Sequence, residues 1–150
     1  MYGIKDVWVF SHNIIRTGRQ FVNDALRPLE LSSAEGNILL HLLTQGDLVR
    51  QDDIVESLDI SKPAVSRALD SLAEKGYVVR EKDLSDRRAS VVLLTDKARQ
   101  IGPRVEQIYE EVFSIAAEGV SDEELKAFAH LFYRVSENFS RARKSQGGRS

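Results

Sequence analysis

Two groups of polar side chains carry most of the chemistry in this 150-residue chain. Ser61-Lys62-Pro63-Ala64-Val65-Ser66-Arg67 opens what reads as a short helix, and Asp86-Arg87-Arg88 lies midway between two β-prone runs. Neither group resembles bond-breaking machinery; both suit recognition of an anionic polymer. Val65, Ala68, Leu69 and Leu72, three and four apart, mark one helix face as buried. Lys62, Pro63, Ser66 and Arg67 therefore lie on the opposite face. A helix fits the major groove of duplex DNA, where Arg67 has the forked donors for a guanine edge and Ser66 can bond a base edge or a phosphate. Pro63 offers a rigid apolar contact of the kind a thymine methyl accepts. Lys62 suits a phosphate, and so does the helix N-terminus capped by Ser61. Taken alone, these residues equally describe an ordinary polar surface helix. The second group weighs against that. Adjacent arginines at a loop tip repel each other, an anionic partner relieves the repulsion, and one of them can enter a narrow minor groove where the potential is most negative. Asp86 can orient an arginine by a charge-assisted bond. The competing account of this loop is a solvated turn with an incidental ion pair.

The elements that position these groups follow from periodicity. Ile4, Val7, Phe10, Ile14, Phe21, Val22 and Leu26 recur at helical spacing, and Trp8 and Ile15 widen the face. Pro28 ends that helix, because a residue before proline avoids the helical basin. Ser32 or Ser33 caps a second helix with Ile38, Leu39, Leu42 and Leu43 inward. Gly46-Asp47 breaks it, and a short helix over about 52–58 presents Ile54, Val55 and Leu58. Ser61 caps the next helix, Pro63 is tolerated in its first turn, and Gly76 closes it. Tyr77–Arg80 and Ser90–Leu94 are strands, with Glu81–Ala89 as the loop between them. Thr95 caps a long helix to about Glu118. Gly102-Pro103 should kink that helix or reset its start, and Gly119 ends it. Ser121 and Glu124 form a capping box for a last helix with Leu125, Phe128, Leu131, Phe132, Val135 and Phe139 on one stripe. These elements predict a mainly α fold with a small β-hairpin: a winged helix-turn-helix over 31–95, preceded by an N-terminal helix at 1–30 and followed by C-terminal helices at 96–143. Residues 144–150 lack an apolar anchor and are expected to be disordered. The terminal helices carry more apolar face than one small core can cover, which points to a partner surface and a two-fold dimer.

Charge agrees with this division. Residues 61–99 hold nine Lys/Arg against six Asp/Glu, whereas residues 1–60 hold five against nine and residues 100–150 seven against eight. Positive charge thus gathers on the segment expected to meet phosphates, although the whole chain is at −2. With no cysteine there is no disulfide and no thiol sensing. The start lacks a signal-peptide layout and no apolar run nears the ~20 residues of a membrane span, so a cytoplasmic protein with no membrane partner is expected. No Gly-x-Ser-x-Gly, phosphate-cradling glycine loop or paired His/Asp/Glu cluster suggests an enzyme. His12, His41 and His130 are not spaced as a metal motif, and no cofactor is expected.

In order and content the chain resembles the MarR family of bacterial transcription regulators. The resemblance spans nearly the whole chain. It rests on the long first helix, on Gln51 through Arg67, on Leu72-Ala73-Glu74-Lys75-Gly76-Tyr77-Val78, and on Asp86-Arg87-Arg88 with Val91 through Thr95, which is similar to the family's Asp-x-Arg…Leu-Thr wing signature. It implies that Arg88 is the minor-groove arginine, Asp86 its orienting carboxylate and Arg87 an auxiliary phosphate contact. It also implies a homodimer, held by the first, fifth and sixth helices, on a pseudo-palindromic operator in double-stranded DNA. A phenolic or other lipophilic anion would loosen the complex. Members that sense zinc do so through histidine and carboxylate; Asn37 stands where such a ligand is expected. For an effector, Arg16 with His12 one turn earlier would hold a carboxylate or phenolate, with His41 nearby on the second helix. An intersubunit ion pair for Arg16 and a hydrogen-bonded, semi-buried His41 are the plainer alternatives. The expected function is a homodimeric, sequence-specific regulator, a repressor rather than an activator. The alternative is a winged-helix protein-interaction module that does not bind DNA.

Overall fold

The computed structural model describes residues 1–46 and 48–147. The described residues form helices α1 (Ile4–Leu26), α2 (Ser33–Gln45), α3 (Gln51–Leu58), α4 (Lys62–Glu74), α5 (Asp96–Ala116) and α6 (Asp122–Gly147) and a sheet of β1 (Val49–Arg50), β2 (Val78–Lys82) and β3 (Ser90–Leu94). The chain divides into two compact units, Met1–Val112 and Phe113–Ser150.

The first unit is built around α2 and α4. Pro28 ends α1 as expected, and one 3-10 turn, Arg27–Leu29, follows it. Ser32 caps α2: its hydroxyl accepts from the Glu35 amide at 3.2 Å, and the Glu35 carboxylate accepts from the Ser32 amide at 2.8 Å. At the end of α4, Gly76 has φ +79°, which suits glycine. There the Tyr77 amide donates to Leu72 O and the Gly76 amide to Ala73 O, satisfying the last carbonyls. The stripe of α4 is buried as its spacing predicts, with Val65, Leu69 and Leu72 fully enclosed among Leu26, Ile38, Leu39, Leu42, Ile54 and Val92. Gly36 lets three helices meet. A Cβ there would collide with the Leu26 side chain and come 2.8 Å from the Tyr109 hydroxyl.

One charged residue lies inside this packing. Glu35 is 4 % exposed, and its carboxylate accepts from Lys75 Nζ at 2.9 and 3.0 Å. The same ammonium donates to Glu30 O at 2.7 Å. The pair joins the start of α2 to the end of α4, 40 residues away in sequence.

The sheet departs from the expected hairpin. It has three antiparallel strands in the order β1-β3-β2, with Val49 opposite Val92 and Arg50 opposite Val91. A two-residue strand is too short for alternation to reveal. β2 is also displaced: it starts at Val78, because the Tyr77 amide is used to close α4, and it runs on to Lys82, opposite Ser90. The loop is therefore 83–89. Its edge strand carries Arg80, Glu81 and Lys82, which discourages pairing with another chain.

α5 runs through Gly102 and Pro103 as one helix and is not restarted there. Thr95 caps it, its hydroxyl accepting from the Ala98 amide at 3.2 Å. Gly102 is used for packing, since a Cβ there would lie 2.9 Å from Leu43. In the second unit, Ser121 and Glu124 form the expected capping box of α6. α6 continues through Lys144–Gly147, where the sequence predicts disorder. Alanine, arginine and lysine are good helix formers, and cations suit a helix C-terminus, so local propensity extends the helix without an apolar anchor. Residues 148–150 of that expected tail lie outside the described residues.

Apolar side chains remain uncovered in both units. Ile4, Trp8, Phe10, Ile14, Ile15 and Phe21 on α1 are exposed, as are Leu125, Phe128, Leu131, Phe132 and Phe139 on α6. Within α6, Phe128 and Phe132 stack at 4.4 Å between ring centroids.

Burial alone would raise the Glu35 pKa, but hydrogen bonds from Lys75, Ser71 and the Ser32 amide, with the Lys75 charge, outweigh it and hold the carboxyl below its ordinary 4.5. A depressed carboxylate stabilises the fold above its unfolded-state value, and that contribution is lost as pH falls through the native value. Lys75→Met should therefore destabilise the protein by about 1–3 kcal/mol at neutral pH, because the buried carboxylate keeps its Ser32 and Ser71 hydrogen bonds but loses its counter-charge. The deficit should shrink toward zero in acid, where Glu35 is neutral in both proteins. Paired urea melts at pH 7 and at low pH measure it; a pH-independent deficit would assign the effect to lost packing.

Candidate nucleic-acid interface

The helix expected to read DNA presents the face the spacing predicts. Ser61 caps α4, its hydroxyl accepting from the Ala64 amide at 3.3 Å. Lys62, Pro63 and Arg67 are exposed and Ser66 is half-buried, opposite the enclosed Val65/Leu69/Leu72 stripe. Lys62 Nζ lies 3.5 Å from Asp52 Oδ1 at the start of α3, a loose exposed pair that a phosphate can displace. Arg67 makes no ion pair among the described residues.

Asp86-Arg87-Arg88-Ala89 is a tight turn, with the Ala89 amide donating to Asp86 O at 2.9 Å. Arg87 and Arg88 occupy its two central positions, and both are exposed. Asp86 organises an arginine differently from the expectation. Its Oδ1 accepts from the Arg88 backbone amide at 3.0 Å, and among the described residues it has no ion pair with either guanidinium. With a single methylene, the aspartate reaches the amide two residues on most readily. The carboxylate thus shapes the turn and leaves both guanidinium groups directed to solvent.

Two polar contacts that the sequence does not signal fix the loop relative to α4. Arg80 on β2 pairs with Asp70 on α4. Arg50 on β1 pairs with Asp83 at the loop's base, 2.6 Å from Nη2 to Oδ2. Asp83 in turn accepts from the Ser85 amide at 2.9 Å and its hydroxyl at 2.7 Å. Those hydrogen bonds are the main reason its pKa is lowered. The Asp83/Ser85 spacing is a turn signal in itself, but nothing in the sequence links position 50 to position 83.

Of the proposed effector residues, His12 and Arg16 do not line the cleft that holds His41. His41 lines a cleft of about 390 Å³ with Gln45, Asp53, Glu56 and Ser57. His12 and Arg16 are exposed on α1, and His12 lies 5.9 Å from the Trp8 ring, centroid to centroid. A larger cleft of about 700 Å³, which sequence reasoning missed, opens between α2 and α4 beside Arg27, Arg67, Ser71 and Lys75. Asn37, at the position of a possible zinc ligand, accepts the Tyr109 hydroxyl at 2.5 Å on Oδ1, and burial pushes that phenol's pKa upward. Among the described residues no group of three His, Asp or Glu side chains could hold a metal ion.

Comparison with known proteins adds sequence and fold relations. Residues 29–89 match the family model described as MarR family. A MarR transcriptional regulator from Methanosarcina mazei Go1 is 24 % identical, with a TM-score of 0.80 over 92 % of this chain and 99 % of that one. A MarR family regulator from Listeria monocytogenes complexed with 26mer DNA is 21 % identical, with a TM-score of 0.80 over 95 % of this chain and 92 % of that one. A cysteine-to-serine mutant of MarR from E. coli complexed with operator DNA is 21 % identical, with a TM-score of 0.75 over 86 % of this chain and 92 % of that one. At these identities the structural likeness establishes the fold.

If Arg88 enters a groove, Arg88→Ala should weaken specific duplex binding about tenfold or more, since a specific groove contact contributes on the order of 1–3 kcal/mol. The melting temperature should be unchanged, because the side chain is exposed and makes no ion pair among the described residues. A gel-shift titration beside a thermal melt checks both, and equal affinity of the two proteins would exclude the role.

Proposed function

We propose, from the match of residues 29–89 to the MarR family model, that the protein is a homodimeric, sequence-specific DNA-binding regulator that represses by occupying a pseudo-palindromic operator. One observation carries the proposal: α4 turns Lys62, Pro63, Ser66 and Arg67 outward while Arg87 and Arg88 sit at the tip of a loop anchored to the same unit. Arg67 with Ser66 would read base edges in the major groove, Lys62 and Arg87 would neutralise phosphates, and Arg88 would lie in the minor groove. Asp86 acts by holding the turn.

Dimerisation is supported by the exposed large apolar side chains of α1 and α6, a kind of surface that marks an interaction site when contiguous. A two-fold axis would place two α4 helices on half-sites one helical turn apart, about 34–36 Å. An effector, a small aromatic or lipophilic anion, would act by removing α4 from the groove. The 700 Å³ cleft favours a site beside Arg67 over one assembled from His12, Arg16 and His41. The competing reading, an interaction module without DNA, does not account for two guanidinium groups at a loop tip that make no ion pair among the described residues.

Selection of bound duplexes from a random pool should yield an inverted repeat. Arg67→Ala should relax the preference at one position per half-site, costing about 1–3 kcal/mol there. An unaltered motif would exclude base reading by Arg67, and recovery of no motif would favour the interaction-module reading. Repeating the selection with a panel of aromatic acids tests induction. Sedimentation should give twice the chain mass at micromolar concentration; a monomer would remove the basis for the inverted repeat.

A further inference from the structure

We propose that Arg50 is the positioning residue of the wing, a latch that sets where Arg87 and Arg88 point. The proposal rests on the DNA-binding reading above. Arg50 occupies the N-cap position of α3, but its side chain makes no capping hydrogen bond there. A serine, threonine or aspartate would satisfy the first amides of that helix, and a cation at a helix N-terminus opposes the dipole. The chain thus forgoes local helix stabilisation at this position. The guanidinium reaches across the sheet instead. Its Nη2 lies 2.6 Å from Asp83 Oδ2 and donates to Ser85 Oγ at 3.3 Å.

Asp83 is where this contact matters. Its side chain is only 13 % exposed, although it begins an otherwise open loop. One oxygen holds Ser85 and the other holds Arg50, while the Asp83 amide donates to Ala89 O at 3.0 Å. A single carboxylate therefore joins β1, the loop's first turn and the neck where the two wing strands part. The arginine-bearing tip begins three residues beyond this neck, no more than about 10 Å away. A swing of about 20° at the neck would move the tip by up to about 3 Å, as far as a hydrogen bond is long. With 45 % of the Arg50 side chain exposed, the ion pair adds little to global stability. Its effect is on direction.

Arg50→Ser separates the two roles, because serine restores an N-cap while it removes the latch. The melting temperature should hold or rise. Amide exchange at Asp83, Arg88 and Ala89 should quicken by about tenfold. Affinity for the selected operator should fall about tenfold with Arg88 present and less than about twofold in an Arg88→Ala background, since the latch acts through that side chain. Arg50→Lys should recover part of the loss: it restores the charge but not the planar guanidinium that places Nη2 between Asp83 and Ser85. Unchanged exchange in Arg50→Ser, or equal affinity losses in both backgrounds, would overturn the latch. A parent chain that selects no duplex at all overturns the DNA reading instead.

Discussion

The burial of one stripe of α4 is the constraint on which the rest of the structure depends. Val65, Leu69 and Leu72 are fully enclosed, and each contributes roughly 1.5–3 kcal/mol by leaving water. A 13-residue helix that commits this face to the core has its opposite face decided for it. Lys62, Pro63 and Arg67 are exposed because Val65 and Leu69 cannot be. The polar contacts around α4 refine that orientation. Lys75 holds its C-terminal end to Glu35 and Glu30, and Asp70 holds Arg80 of the neighbouring strand. The first of these pairs has a nearly enclosed carboxylate and so affects stability; the second is more open and mainly sets direction.

The wing is governed by the same unit through β3. This strand pairs with β2 on one side and with β1 on the other, so the helices that pack on it and the loop that leaves it share one frame. Val92, fully buried, ties β3 to the core, and Arg80 and Val49 lie opposite it on the flanking strands. The loop therefore inherits its position from the sheet, while its shape comes from two aspartates. Asp83 organises the base and Asp86 the turn, each by accepting hydrogen bonds from the residue two positions on. Asp86 makes no ion pair with Arg87 or Arg88 among the described residues, and both arginine side chains are exposed.

The helices at the two ends of the chain follow a different physical logic. α6 has no buried residue, and much of the apolar surface of α1 faces solvent. Only Val22 and Leu26 of α1 are buried, so the first helix is anchored at one end and displays the other. Exposed Trp8, Phe10, Phe21, Phe128 and Phe132 are the observation on which the proposed pairing with a second copy rests.

Local chemistry determined much of this protein before any tertiary structure was considered. The α4 stripe, the caps at Ser32, Ser61, Thr95 and Ser121, the stop at Pro28 and the left-handed Gly76 are each written in a few adjacent residues, because capping and helical periodicity act over one or two turns. The arginine pair was legible for the same reason: a charged loop between two β-prone runs has nowhere to go but outward. What only the tertiary structure decided are the relations between distant positions. β1 exists because β3 offers it an edge, not because two residues prefer to be extended. Glu35 meets Lys75 and Arg50 meets Asp83 through packing that carries no sequence periodicity. The large cleft beside Arg67 appears only once α2 and α4 are placed. The continuation of α6 to Gly147 shows the reverse case, in which propensity over many weakly helical residues accumulates where no single anchor announces it.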